Sequence, residues 1–148
     1  MDPALLQQAT TTEDTDTNGG HGQLVHAKTT NTILSSAYRV HSRLGPGLLE
    51  RPYRTCLAYE LSNSGVSVET EKVLPVVYDG LTIEFGYRID LLVDDTVIVE
   101  VKAVETLLPV HEAQLLSYLK LSRKRVGLLI NFNVAHLRDG IRRKICGF

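Results

Sequence analysis

Apolar residues recur with two different periods along this 148-residue chain. Between Thr30 and Leu44 they fall at Ile33, Leu34, Ala37, Tyr38, Val40 and Leu44, the spacing of a helix with one buried side. Asn31 is the expected N-cap, and Gly45-Pro46-Gly47 ends the helix sharply. A second helix is expected from about Leu48 to Ser62, with Tyr53, Leu57, Ala58 and Leu61 on one face. After a turn at Asn63-Ser64-Gly65 the period drops to two. Val66 to Val73 alternates as a strand, Pro75 interrupts it, Val76 to Tyr78 resumes it, and Asp79-Gly80 signals a hairpin into Leu81 to Phe85. Pro109 opens a third helix reaching about Leu121, whose Leu115, Leu116 and Leu119 mark a packed side. Val126 to Asn131 is a nearly unbroken apolar run, as in a strand buried on both faces. His136 to Lys144 reads as a short basic helix broken or begun at Gly140. Helix, helix, three or more strands, helix, strand, helix is the order of an α/β protein in which helices flank a mixed sheet.

The stretch from Tyr87 to Lys102 organises this pattern. Two apolar alternating runs meet at Asp94-Asp95, a β-hairpin whose second run ends in Glu100-Val101-Lys102. A two-residue turn would pair Ile89 with Glu100 and Asp90 with Val99, mixing apolar and charged residues on both faces. One more residue in the connection pairs Ile89 with Val101, Leu91 with Val99, Val93 with Val97 and Leu92 with Ile98, and sets Asp90 opposite Glu100. The hydrophobic pattern therefore predicts a three-residue or bulged connection. Lys102 follows Glu100 by two and shares its face.

Opposed carboxylates repel unless something positive lies between them. Lysine serves in part, and a divalent cation such as Mg²⁺ or Mn²⁺, which takes hard oxygen ligands, serves better. The plainer reading of Asp90, Glu100 and Lys102 is an ion-pair cluster at a sheet edge. Glu50, in the first turn of the second helix, complements the helix dipole on a plain reading and joins the acidic cluster on a sharper one. Gln114 and Tyr118 stand four apart on one face of the third helix.

Composition is that of an ordinary globular chain, 43% hydrophobic and 22% charged, long enough for one domain with a real core. The net charge of -1 hides an asymmetry. Residues 1 to 100 hold seven basic and fourteen acidic side chains, residues 101 to 148 nine and three. The basic part could face a polyanion, although solvated helix surfaces also carry such runs. Residues 1 to 28, rich in Thr, Asp, Asn, Gly and Gln, have little to bury and read as a disordered tail containing His21 and His26, ahead of one domain over 29 to 148. Cys56 and Cys146 lie outside any zinc or disulfide spacing and read as free thiols of a reducing compartment. With no signal-peptide pattern and no long apolar run, a cytoplasmic location is expected.

Gly47-Leu48-Leu49-Glu50-Arg51-Pro52-Tyr53 resembles the G-x-x-E-x-x-Y signature of the bacterial GxxExxY protein family. The likeness continues through Leu44-Gly45-Pro46-Gly47, Tyr87-Arg88-Ile89-Asp90, Glu100-Val101-Lys102-Ala103-Val104, Gln114 to Lys120 and Gly127 to Phe132, covering roughly residues 30 to 145. That family is similar to the PD-(D/E)xK nuclease superfamily, and Gln114-x-x-x-Tyr118 resembles the Q-x-x-x-Y element of its RecB-like exonuclease branch. The resemblance implies a restriction-endonuclease-like core. It implies that Asp90, Glu100 and the Val101 carbonyl bind Mg²⁺ (or Mn²⁺), with Glu50 completing the metal site. It further implies that Lys102 holds or polarises the attacking water, and that Gln114 and Tyr118 orient Lys102 or contact the phosphate and terminal nucleotide. Pro52 departs from the pattern by sitting inside the signature, where a first helical turn tolerates it. The expected activity is Mg²⁺-dependent phosphodiester hydrolysis, as a DNA exonuclease, with RNA as the other polymer open. The competing class is a non-catalytic nucleic-acid- or protein-binding module of the same fold. A retired site has no reason to keep a lysine among acids, which favours the enzyme. Strand polarity, sequence preference and the need for a second copy or protein partner carry no short signature.

Overall fold

The computed structural model describes residues 25–147. Helix α1 (Ala27–Leu44) starts earlier than the apolar spacing indicates, so Asn31 lies inside it and His26, in a left-handed conformation (φ 55°), takes the N-cap place. The expected tail lies mostly outside the described residues, but Ala27 and Lys28 belong to α1. Helix α2 (Glu50–Asn63) buries Tyr53, Leu57 and Leu61. Strand β1 (Val68–Tyr78) runs straight through Pro75, because a shift of register between Leu74 and Val76 absorbs the missing N–H at the open edge of the sheet. The turn at Asp79-Gly80, both with positive φ, leads into β2 (Leu81–Val93). Then follow β3 (Val97–Lys102), α3 (Pro109–Ser122), β4 (Val126–Asn131), a short 3-10 turn at Leu137–Gly140 and β5 (Ile141–Ile145).

The expected C-terminal basic helix is therefore a turn and a strand. Ile141 and Arg143 alternate with less buried neighbours, as an edge strand requires, and β5 satisfies the outer edge of β4 in antiparallel register. Gly140 makes the entry possible, since a Cβ there would lie 2.2 Å from the Asn131 carbonyl oxygen.

The five strands lie in the order β1-β2-β3-β4-β5, with β3 and β4 parallel and the other pairs antiparallel. Helix α3 makes the crossover between the parallel strands, as a parallel pair demands. One face of the sheet packs on α1 and α2 through Leu91, Val93, Val97, Val99, Val101, Leu128 and Ile130. The other packs on Leu115 and Leu119 of α3 through Ile89, Leu92, Ile98 and Leu129. Val126–Asn131 is buried throughout, between the two layers. The result is an α/β fold, a mixed sheet between helices, the architecture expected of a restriction-endonuclease-like core.

The central hairpin has the three-residue connection that its hydrophobic pattern predicts. Leu91 pairs with Val99, Leu92 with Ile98 and Val93 with Val97. Asp94 and Asp95 take positive φ, which Asp tolerates better than most residues, and Thr96 N–H closes the turn on the Val93 carbonyl at 3.0 Å. Beyond Leu91 the register stops, and the expected pair of Ile89 and Val101 does not form. Ile89 packs toward α3 while Val101 packs toward α1 and α2. The alternation of β2 slips by one residue at Asp90, beside Glu71 of β1, whose φ is +51°.

Candidate active site

The slip at Asp90 strips both strands of ladder partners, and two carboxylates replace them. Asp90 N–H donates to Glu100 Oε1 at 3.1 Å, and Val101 N–H donates to Asp90 Oδ2 at 2.8 Å. Each acid thus caps the backbone beside the other, which fixes both side chains without rotamer freedom to lose on binding a ligand. Glu100 is only 5% exposed. Its carboxyl is pushed up to about 8, first by burial and then by the neighbouring Asp90 charge, against which the Asp90 N–H and the Lys102 ammonium act. A buried acid with so poor a local charge balance is a site at which a cation is stabilised.

Arg54 supplies part of that balance. One guanidinium nitrogen reaches Asp90 Oδ1 at 3.3 Å and another reaches Glu71 Oε1 at 3.2 Å. Arg54 follows Glu50 by four and so shares its side of α2, a spacing that does not by itself single it out from other helical arginines. Glu50 is exposed at the start of α2, one helical turn before the residue that touches Asp90. Among the described residues no three His, Cys, Asp or Glu side chains converge as a metal-holding group, so Glu50 does not join the Asp90–Glu100 pair into a triad here.

Lys102 ends β3 and forms no ion pair among the described residues. Its main chain is held from two sides. Phe132 N–H donates to the Lys102 carbonyl at 2.9 Å, and Asn131 clamps Val104, accepting its N–H at 3.0 Å and donating to its carbonyl at 2.9 Å. Asn131 is buried, so its amide is committed to this loop. Its neighbour Asn133 accepts the Gly47 N–H at 3.1 Å, which ties the loop before α2 to the same end of the sheet.

Tyr53 explains the last position of the G-x-x-E-x-x-Y pattern. It is fully buried and stacked on Phe132 with ring centroids 4.7 Å apart. Its hydroxyl donates to the Gly45 carbonyl at 2.6 Å and accepts from Leu48 N–H at 3.1 Å. Gly47 has φ 105°, a conformation that a side chain resists. Gly47 and Tyr53 thereby shape the loop that delivers Glu50, and neither faces Asp90 or Glu100 with a free polar group. Pro52 occupies the third position of α2, where its missing N–H is one of the four that no helical carbonyl accepts.

On α3, Tyr118 is half-buried and faces the acids. Its hydroxyl is raised above the usual tyrosine value by burial first, then by the Glu100 and Asp90 charges and by Tyr87. Tyr87 of β2 tilts against its ring at 60° with centroids 5.1 Å apart. Gln114 lies one turn earlier and is exposed. The structure therefore brings Asp90, Glu100, Lys102 and Tyr118 to one end of the sheet and adds Arg54 and Tyr87. Glu50 and Gln114 lie at the rim.

Two carboxylates fixed side by side, one of them buried and starved of positive charge, match the hard oxygen donors of Mg²⁺ or Mn²⁺. Asp90 and Glu100 fit such an ion. No curated protein and no solved structure matches the chain. A protein-family model described as the PD-(D/E)XK nuclease superfamily matches residues 27–144, from the first turn of α1 into β5. With that match over most of its length, and with an acid at the β2 slip facing a Glu-x-Lys on β3, the chain belongs to the PD-(D/E)XK nuclease superfamily.

Proposed function

We propose that this protein is a Mg²⁺-dependent nuclease that hydrolyses phosphodiester bonds, acting as an exonuclease on DNA. The observation that carries this reading is the crossed pair of hydrogen bonds that fixes Asp90 against Glu100 beside Lys102. Asp90, Glu100 and the Val101 carbonyl would hold the ion, with Glu50 added from the α2 rim. When bound, the ion would polarise water and offset charge at the phosphoryl oxygens.

The chain's own groups do the rest. Lys102, which has no ion-pair partner among the described residues, would turn its ammonium charge to the water and to the phosphoryl oxygens as charge develops on them. Gln114 and Tyr118 stand on one side of α3 and contact the phosphate or hold Lys102 in line. This spacing is the feature shared with the RecB-like branch, and Gly47, Glu50 and Tyr53 are those shared with the GxxExxY proteins. Cys56 and Cys146, both free thiols, suit a reducing cytoplasm.

The test is cleavage of end-labelled linear and covalently closed DNA, single- and double-stranded, and of RNA, with Mg²⁺, Mn²⁺ or chelator. Loss of linear DNA alone, and only with metal, is the expected result. Asp90→Asn and Glu100→Gln should each lower the rate by at least about a hundredfold while the protein stays folded. Cleavage unchanged from the native rate in both variants would overturn the site. No cleavage by the native chain, together with intact binding of nucleic acid or a protein, would make it a binding module of the same fold.

A further inference from the structure

Arg54 faces two ways. Between α2 and β1 lies a recess of about 190 Å³ lined by Arg51, Arg54, Thr55, Ala58, Thr70 and Glu71. Two guanidinium groups and two hydroxyls there are donors only or donors by choice, the set that phosphate oxygens accept from. The one acid in the recess, Glu71, is drawn off by Arg54 at 3.2 Å and by Arg88 at 3.9 Å. Arg51 is exposed and forms no ion pair among the described residues. Arg54 lines the recess and also reaches the candidate catalytic pair, through its 3.3 Å contact to Asp90.

We propose that this recess is a phosphate subsite for the nucleic-acid strand, and that Arg54 couples it to the acid pair. The inference rests on the nuclease reading above and names how the strand is held. Without a divalent ion, Asp90 and Glu71 share the Arg54 charge and the recess offers little net attraction. Once an ion neutralises Asp90, that carboxylate no longer competes for the guanidinium, and Arg54 donates its fork to a phosphate beside Arg51, Thr55 and Thr70. Ion and strand then strengthen each other's binding, and the coupling must be reciprocal. Arg54 is a positioning residue in this scheme, and no bond is made or broken at it.

The experiment uses the full chain and a fluorescent oligonucleotide with phosphorothioate linkages that resist hydrolysis, titrated with and without Mg²⁺. Mg²⁺ binding without oligonucleotide is followed by calorimetry. In the native protein Mg²⁺ should tighten oligonucleotide binding by about tenfold or more, and Arg54→Gln should remove most of that gain. Arg54→Gln should also bind Mg²⁺ alone more tightly, because no guanidinium has to leave Asp90. Arg51→Ala, an exposed change that leaves the fold intact, should weaken the strand with or without Mg²⁺ and cut the salt slope of binding by about 1. Lys28→Ala, which removes the same charge at the start of α1, should change neither quantity by more than about twofold. Oligonucleotides ending in a 5′-phosphate, a 3′-phosphate or hydroxyls separate the two sources of the group. A preference for one phosphorylated end assigns a terminal phosphate to the recess, and no preference assigns a phosphate within the strand.

Unchanged strand affinity and Mg²⁺ affinity in Arg54→Gln, with only a lower melting temperature, would make Arg54 a structural ion-pair partner and overturn the proposal. That outcome leaves the nuclease reading standing if Glu100→Gln still abolishes cleavage. A native protein that neither binds nor cuts nucleic acid would overturn both.

Discussion

At the scale of single residues, the electrostatics of the candidate site turn on Glu100. In an unfolded chain its carboxyl ionises near 4.5, whereas burial and the Asp90 charge hold it up to about 8 in the fold. Between those values the folded protein binds the extra proton, so stability is greatest below the lower value and falls as pH rises through the upper one. His26 works in the opposite sense, since burial, then Arg125 and Arg143, keep it below its ordinary 6.5. Its contribution is complete above about pH 7, which leaves the alkaline window to Glu100. Metal-free protein should therefore lose about 1 kcal/mol of unfolding free energy between pH 7 and 9, and Glu100→Gln should abolish that slope. Denaturant titrations in chelator at the two pH values measure it, and a rise in native stability over the same interval would contradict the assignment. The acids and the lysine were legible in the sequence because a charge inside an apolar alternating run stands out. Arg54 was not, because an arginine on a helix has many solvated places to go and only the packing of α2 on the sheet sends it to Asp90.

Among the elements, the strand and helix ends that meet at the site are held by main-chain approaches as much as by side chains. Asn131 at the end of β4 carries the loop after Lys102, and Gly140 lies against its carbonyl. Gly140→Ala forces a Cβ to within 2.2 Å of that oxygen, so the 3-10 turn and β4 must move apart. We expect a loss of about 2 kcal/mol or more, with a fall in cleavage rate as Val104 and Lys102 loosen. Gly147→Ala, where an added Cβ meets nothing within 4 Å, is the control and should cost nearly nothing. Urea denaturation distinguishes the two, and equal midpoints would show that the close approach carries no weight. The C-terminal segment reads as a helix in the sequence because basic residues suit a helix end as well as an edge strand. What decided between them was the unpaired edge of β4, which lies ten residues earlier in the chain.

For the whole molecule, three layers converge on one end of the sheet: α2 brings Arg54, the strands bring Asp90, Glu100 and Lys102, and α3 brings Tyr118. A ligand bound there links the layers, and an ion that binds the folded chain alone must stabilise it by mass action. At about a hundred times its dissociation constant Mg²⁺ should add about 2.7 kcal/mol to the unfolding free energy and raise the melting temperature. Glu100→Gln should lose that rise while melting higher than the native chain in chelator at neutral pH, since the cost of burying an acid that must take up a proton on folding is gone. Scanning calorimetry with Mg²⁺ and with chelator reads both, and an equal Mg²⁺ response in the two proteins would place the ion elsewhere.

By itself the sequence determined the helices and strands whose apolar periods are long, the three-residue hairpin connection, and the presence of Asp90 and Glu-x-Lys on facing strands. These follow from local chemistry, because a one-residue change of register would send every apolar side chain of a strand to the wrong face. Only the tertiary structure decided that the ladder breaks at Asp90, that Ile89 and Val101 part company, and that each carboxylate takes a backbone N–H the ladder gives up. The break depends on what packs against each face and on the αL residue Glu71 in the neighbouring strand, contacts between segments remote in sequence that no local period records.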